Sequence, residues 1–168
     1  MISALLAVDK HGGMGYQGTL PWYFPADLKR FQQLTKGHIV VMGRKTWDDP
    51  KMPKPLEGRT TYIVTSRPET LPYYAKHLKG ENLNEELLAL EQANPKKKIF
   101  VIGGPQIILD SKDVLDRIYL THINDSFKID TRINLHELLI GTIPVACSTG
   151  PKDPLAFLTY ENIFKRSK

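Results

Sequence analysis

The sequence predicts an α/β fold: one domain spanning residues 1–168, built on a central, mostly parallel, twisted sheet of about eight strands flanked by about four helices. Three observations predict it. The continuous apolar runs ISALLAV, HIVVM, TTYIVT and KIFVI have the length and β-branched content of strands buried on both faces. Stretches of helical periodicity fall between them, which calls for crossover connections and parallel pairing. The late strands RIYLTHI and LAFLTYENIF follow without a helix between them, so the C-terminal strand is expected to be antiparallel.

At 168 residues and 41% hydrophobic, the chain can bury a sizeable core. No run reaches the ~18 apolar residues of a membrane span. The opening MISALLAVD lacks a basic n-region and meets Asp9 too early for a signal peptide. A lone Cys147 provides no disulfide framework, so a cytoplasmic protein is expected. The net charge of +5 points to anionic partners: phosphorylated small molecules, nucleic acid or a membrane surface. The basic runs are short, however. Lys96, Lys97 and Lys98, and the tail residues Lys165, Arg166 and Lys168, read as solvated surface. Five scattered histidines, one cysteine and no HExxH pattern give no reason to expect a metal.

Residues 1–8 form the first strand, ended by the glycine-rich HGGMGYQG. A helix follows from Pro25 to about Thr35, with Pro25 at the first position, where a missing N–H costs nothing. Its apolar stripe is Phe24, Asp27, Leu28, Phe31 and Leu34, and Lys29, Arg30, Gln32 and Gln33 make a solvated face. One carboxylate therefore sits among apolar residues. An acid in a first turn is favoured by the helix dipole and free N–H groups, so a capping residue and a functional carboxylate stand as alternatives. HIVVM (38–42) is the second strand, and GRKTWDD begins a short helix. MPKPLEG is a proline-rich loop before the strand TTYIVT (60–65). NLNEELLALEQAN is a helix with a capping box between Asn82 and Glu85 and a stripe of Leu83, Leu87 and Leu90. KIFVI (98–102) is a strand, GGPQIILDS a turn into a helix, and residues 117–123 a strand. Asn162 interrupts the pattern of the last one.

Two strands end in glycine and pass directly into helices, at IVVMGRKTW and IFVIGGPQI. This aims backbone N–H groups and helix dipoles at one point, which suits phosphate, and open sheets bind ligands at the carboxyl ends of their strands. Arg44 and Lys45 after the first turn, with Thr65, Ser66 and Arg67 after the third strand, make a basic, hydroxyl-bearing pocket fit for a phosphate monoester. The GxGxxG fingerprint, the acidic ribose partner and a Walker A motif are all absent. For a bound dinucleotide, that chemistry favours NADPH over NADH.

In this order the residues resemble the dihydrofolate reductase family over essentially the whole chain. LLAVDKHGGMGYQGTLPW is similar to the family's first strand and the loop that closes over nicotinamide, and PADLKRF to its pterin-site helix. VMGRKTW and VIGGPQ resemble its cofactor turns, PLEGR its glutamate-binding segment and YLTHI its central strand. The resemblance implies reduction of 7,8-dihydrofolate with NADPH, a place in tetrahydrofolate and nucleotide biosynthesis, and antifolates as inhibitors. It implies a monomer with neither nucleic acid nor membrane as partner. Asp27 is then catalytic, with Thr121 hydrogen-bonding it and Trp22 holding a water near the pterin. Leu5, Leu6, Leu28, Phe31, Leu56, Arg59 and Ile102 fall on the substrate side, Arg59 taking the glutamate α-carboxylate. On the cofactor side the resemblance puts Ala7, Met14, Gly15, Leu20, Gly43, Arg44, Lys45, Thr46, Thr65, Ser66 and Arg67. Gly103, Gly104, Pro105, Gln106 and Ile108 complete it. Gly103 and Gly104 match a pair joined by a cis bond, and Asp130 and Thr131 a segment that hydrogen-bonds the closed loop.

Some positions depart from the family pattern. Pro105 removes an N–H that could face pyrophosphate, and Ile108 stands where many members have an aromatic residue. Extra residues precede Arg59 around Met52 and Pro53, and the last strand matches only loosely. A pyrimidine reductase of riboflavin synthesis, on the same fold and with the same cofactor, is the rival reading, but it has no use for PADLKRF or Arg59. A nucleic-acid-binding protein is the rival from another class; it requires basic residues clustered on one face with exposed aromatics.

Overall fold

In the computed structural model, which describes residues 1–149, 154–164 and 166, the chain begins with β1 (Ile2–Val8), β2 (Gly13–Gly15), α1 (Pro25–Thr35), β3 (Ile39–Gly43), α2 (Arg44–Trp47) and β4 (Thr60–Val64). It continues through β5 (Ala75–Leu78), α3 (Leu83–Ala93), β6 (Ile99–Gly103), α4 (Pro105–Asp110) and β7 (Arg117–Ile123). It ends with β8 (Thr131–Arg132), α5 (Leu135–Leu139), β9 (Thr142–Thr149) and β10 (Leu155–Asn162). Eight strands form one sheet in the order β5-β4-β3-β6-β1-β7-β10-β9. All neighbours from β5 to β7 are parallel, and β10 is antiparallel to both β7 and β9. The separate β2–β8 pair joins two loops above the sheet edge. Besides the expected elements, the structure adds β2, β5, β8, β9 and α5, making five α-helices among the described residues, where about four were expected.

Alternation along the central strands divides the core in two. Ile2, Ala4, Leu6 and Val8 of β1, with Ile39, Val41, Ile99, Val101, Ile118 and Leu120, face the layer that holds Leu83, Leu87, Leu90, Ile108 and Leu138. Leu5, Phe100 and Tyr119 face the other way, against Phe31 and Leu34 of α1. Val40, Met42 and Ile63 share that side with Trp47 and Leu56. Each fully buried Leu or Ile contributes roughly 1.5–3 kcal/mol, so two-sided burial strongly fixes the strand register. Asn82 caps α3 as expected, its side chain accepting from Glu85 N at 3.4 Å. The clamp then extends beyond the expected box: the Glu86 carboxylate accepts from the backbone N–H of Lys79 and of Gly80, each at 2.7 Å.

Lys165 and Lys168 lie outside the described residues, but Arg166 is not the solvated charge its position in a basic tail predicts. Its side chain is only 14% exposed. The guanidinium donates to both carboxylate oxygens of Asp116 at 2.7 and 3.2 Å, and to both of Glu91 at 3.0 and 3.2 Å. Asp116 also accepts from Ile2 N at 2.8 Å, and the Met1 amine lies 2.9 Å from Glu91. The last described residue is thereby tied to α3 and to the first residues of β1. Burial alone would raise the Glu91 carboxyl. The Arg166 guanidinium and the Met1 amine overcome this and hold it at about 2, against a usual 4.5. A depressed carboxylate stabilises the fold above its unfolded value of 4.5, and that contribution is lost as pH falls toward 2. Arg166→Gln is therefore expected to lose about 2–4 kcal/mol at pH 7 by urea denaturation, since it strands two partly buried carboxylates. The loss should shrink as pH falls from 4.5 toward 2; a penalty unchanged over that range would remove the ion cluster as its cause.

Candidate active site

Asp27 lies in the first turn of α1, and its backbone N–H already bonds Phe24 O at 3.0 Å. Its carboxylate leaves the helix altogether. Oδ1 accepts from the Thr121 hydroxyl of β7 at 2.6 Å, which decides against a capping role. Burial pushes the Asp27 carboxyl up, opposed by the Thr121 hydroxyl and the Arg30 charge. Close to it in sequence are Trp22, 7% exposed and 5.3 Å from the Phe127 ring, and Leu28, which keeps 47% of its surface open. Trp22 Nε1 is buried and finds no acceptor among the described residues.

The apolar stripe of α1 is thus only half covered, and it forms one wall of a cleft. Phe31 reaches Leu56, and the Arg59 guanidinium lies 5.8 Å over the Phe31 ring while donating to Thr35 Oγ1 at 3.3 Å and Glu57 O at 3.0 Å. Leu5 and Ile102 fall on this wall, beside Phe31. Leu6 does not, contrary to expectation: strand alternation turns its side chain into the opposite core.

The two strand-ending glycines converge because β3 and β6 are neighbours, with Met42 opposite Gly103. Gly103 and Gly104 are joined by a cis bond, as the resemblance implies. Gly103 adopts φ +147, and a Cβ there would meet Thr46 Oγ1 at 3.2 Å; one on Gly43 would meet Ile107 Cγ1 at 3.1 Å. Glycine lets the two turns approach this closely. Pro105 takes the first turn of α4, where it displaces no helical hydrogen bond. The α2 and α4 helices have four and six residues, so they offer free N–H groups rather than the full macrodipoles expected.

Lys45, Ser66 and Arg67 are exposed at the adjoining ends of β3 and β4, and Thr65 Oγ1 accepts from Arg67 N at 3.1 Å. Arg44 reaches the same corner but is already committed. Its Nε lies 3.2 Å from both Asp48 oxygens and its Nη1 donates to Thr70 Oγ1, so less of it is left for the phosphate than the sequence suggests. Gln106 donates to Asp110 at 2.7 Å. Ile108 is a second correction. It has no exposed surface and belongs to the core with Leu87, while Ile107, one helical step earlier, lies against Gly43.

The loop after β1 is anchored at both ends. Asp130 Oδ2 accepts from Gln17 N at 2.9 Å, Asp130 N donates to Gly15 O at 3.0 Å, and Gly15 is paired with Thr131. Met14 packs on the main core, and Leu20 is exposed at the cleft mouth.

A family model described as dihydrofolate reductase matches residues 1–138. The chain belongs to the dihydrofolate reductase family. The dihydrofolate reductase of Bacillus subtilis (strain 168) is 34% identical over 131 residues, 77% of this chain and 73% of that one. Dihydrofolate reductase type 3 of Salmonella typhimurium is 31% identical over 153 residues, covering 91% and 90%. The solved structure of dihydrofolate reductase from Enterococcus faecalis, complexed with NADP(H) and RAB-propyl, is 30% identical and superimposes with a TM-score of 0.77 over 97% of this chain and 96% of that one. The family model stops within α5, whereas the structural likeness runs on through the loosely matching β9 and β10.

For a dihydrofolate reductase family member, sequence reading missed two charged residues of this site. Asp9 is fully buried, and its carboxylate accepts from the backbone N–H of His11 at 2.9 Å, Gly13 at 2.8 Å and Phe127 at 3.3 Å. Burial opposes its charge, but those donors hold its carboxyl below the ordinary value. An Asp three residues before a Gly-Gly pair is a turn signal that was there to be read. Arg30, assigned to a solvated face, instead lies 4.7 Å over the Phe157 ring and 5.8 Å from that of Tyr119. Nothing in the helical period indicated that.

The close approach of the turns makes a prediction for Gly103. Gly103→Ala combines an unfavourable φ with a contact on Thr46, and should lower stability by about 1–3 kcal/mol in urea denaturation. A variant as stable as the parent would show that the turn relaxes freely.

Proposed function

We propose that this chain reduces 7,8-dihydrofolate to 5,6,7,8-tetrahydrofolate with NADPH as the reductant. The observation that carries the reading is Asp27, a carboxylate on the cleft wall bonded to Thr121 at 2.6 Å and flanked by Leu28 and Phe31. A pterin presents a 2-amino group and a ring N–H side by side, and a carboxylate offers two matching acceptors. The reaction adds a hydride to one ring carbon and a proton to the adjacent nitrogen. Asp27 fixes the ring and promotes protonation; because burial raises its carboxyl, it shares a proton closer to neutral pH than an exposed aspartate would. Water delivers the proton, and the unpartnered indole N–H of Trp22 suits holding it. Leu5 and Ile102 offer backbone carbonyls to the pterin. Phe31 and Leu56 line the p-aminobenzoyl group, and Arg59 takes the glutamate α-carboxylate.

The residues present fit NADPH, which when bound supplies the hydride. The evidence of fit is the close approach of the Gly43 and Gly103 turns, where a Cβ would press on Ile107 or Thr46, next to the exposed cations Lys45 and Arg67. Lys45, Ser66 and Arg67 would hold the phosphate that distinguishes this cofactor from NADH, with Arg44 supporting the corner through Asp48 and Thr70. Thr46, Thr65, Pro105 and Gln106 border the dinucleotide, and Ala7 leaves room for nicotinamide. Met14, Gly15 and Leu20 belong to the loop that excludes water when closed. On this reading the protein is a single-domain monomer of the cytoplasm.

Asp27→Asn should retain NADPH affinity within about threefold while dihydrofolate turnover at neutral pH falls by roughly 10²-fold or more, followed by NADPH absorbance. Undiminished turnover would take Asp27 out of the chemistry. Replacing Lys45 and Arg67 together with Ala should weaken NADPH by about 10- to 100-fold and leave NADH nearly unchanged, as titrations of each cofactor would show. Equal losses for the two would mean that these cations do not read the phosphate.

A further inference from the structure

We propose that Arg30 is a positioning residue for this reaction: its guanidinium, held behind Asp27 by the rings of Phe157 and Tyr119, sets the pH range over which Asp27 and the bound pterin keep their shared proton. The inference rests on the dihydrofolate reading of the site.

Arg30 follows Asp27 by three residues, so the two share a side of α1. Its guanidinium is half-buried, with Nη1 turned inward away from water. It stacks at 4.7 Å on Phe157, and Phe157 is the cross-strand partner of Thr121, the residue that donates to Asp27. Tyr119, two residues earlier on β7, closes the other side at 5.8 Å. Cation and carboxylate thus flank the same pair of strand residues. Yet among the described residues Arg30 makes no ion pair with Asp27, and its Nη1 is buried without a hydrogen-bond partner.

That combination has a chemical use. A direct ion pair would occupy the carboxylate oxygen that the pterin needs. A cation one layer behind leaves that oxygen free and acts through its field. It favours charged Asp27 over the protonated acid, and it disfavours a protonated, cationic pterin. Both effects make the pair lose its shared proton at lower pH, so the sign does not depend on which partner carries the proton. Arg suits the position because it stays charged even where burial works against its protonation.

The other groups in reach are few. On the outer side of Arg30 is a groove of about 430 Å³ between α1 and the β9–β10 edge, where Lys29 is the one other charged group and Cys147 a titratable neighbour. From β7 the titratable group is Tyr119, whose hydroxyl accepts from Arg117. From β10, Phe157 and Thr159 bring no charge, and from β1 neither do Leu5 and Ala7.

The test follows the Asp27 carboxyl by ¹³C NMR titration of the ligand-free protein, beside the pH profile of dihydrofolate turnover. It compares the parent with Arg30→Met, Arg30→Gln and Arg30→Lys. The neutral variants should raise the Asp27 midpoint by about one pH unit and move the alkaline limb of turnover up in parallel, while Arg30→Lys stays within about 0.3 unit of the parent. Arg30→Gln decides the matter if Arg30→Met does not fold. An unmoved midpoint in a folded neutral variant overturns the proposal, and so does an equal shift in Arg30→Lys, which would reveal packing rather than charge. The NMR arm needs no substrate. A parent that titrates as expected but does not reduce dihydrofolate would refute the function while leaving the electrostatic role standing.

Discussion

Holding a carboxylate in the half-dry wall of a cleft requires supports that do not consume the carboxylate, and the architecture follows from that demand. Pro25 starts α1 one turn after the lead-in, so Asp27 emerges where the helix is still at the sheet's carboxyl edge. The central strand pair β1–β7 brings Thr121 beneath it, and the antiparallel return of β10 brings Phe157 next to Thr121. The parallel order of β4, β3, β6 and β1 gathers the glycine turns at the same edge. Helix, hydroxyl, ring and turn come from four separate parts of the chain, which explains why the cleft belongs to the fold as a whole and not to one motif.

Much of this was legible in the sequence because the central strands are greasy on both faces. Burial on both sides produces continuous apolar runs, and α1 and β7 begin and end where the pattern says. The unreadable elements lack that constraint. β9 is exposed along nearly its whole length, so TIPVACST alternates against nothing, and β5 is four residues at the other edge. The site errors have similar causes. Leu5 and Leu6 differ only in strand phase, and Ile107 and Ile108 only in helical phase; composition cannot resolve a single step. Arg30 and Arg166 looked like surface charge because their partners lie far along the chain, and Arg44 looked like an uncommitted phosphate ligand because Asp48 and Thr70 come close only once the chain folds. The Asp9 anchor was signalled locally by the glycines after it, but the Phe127 donor was not.

The placement of charge also bears on the +5 balance. Arg166 is neutralised by Glu91 and Asp116, Arg117 by Glu161 and Arg44 by Asp48. These pairs hold α3, the sheet and the turn together, and they leave the net charge as it is, because the acids in them are already counted against it. The cations left near the strand ends, Lys45 and Arg67, are concentrated at one corner. Such a distribution answers to a small phosphate better than to a polyanion, whose neutralisation calls for many cations along an extended face.

The position of β1 at the heart of the sheet has a consequence for how the chain is made. Ile2 pairs with Ile99, and Ser3 with both Phe100 and Arg117, so β1 has no sheet partner until β6 and β7 have left the ribosome. At translation rates of about 5–20 residues per second, the apolar ISALLAV waits on the order of 5–20 s in a nascent chain. During that interval it is an unpaired strand edge that any holdase or neighbouring nascent chain can engage. The same non-local pairing that builds the cleft therefore leaves an apolar strand exposed to aggregation while the rest of the sheet is being made.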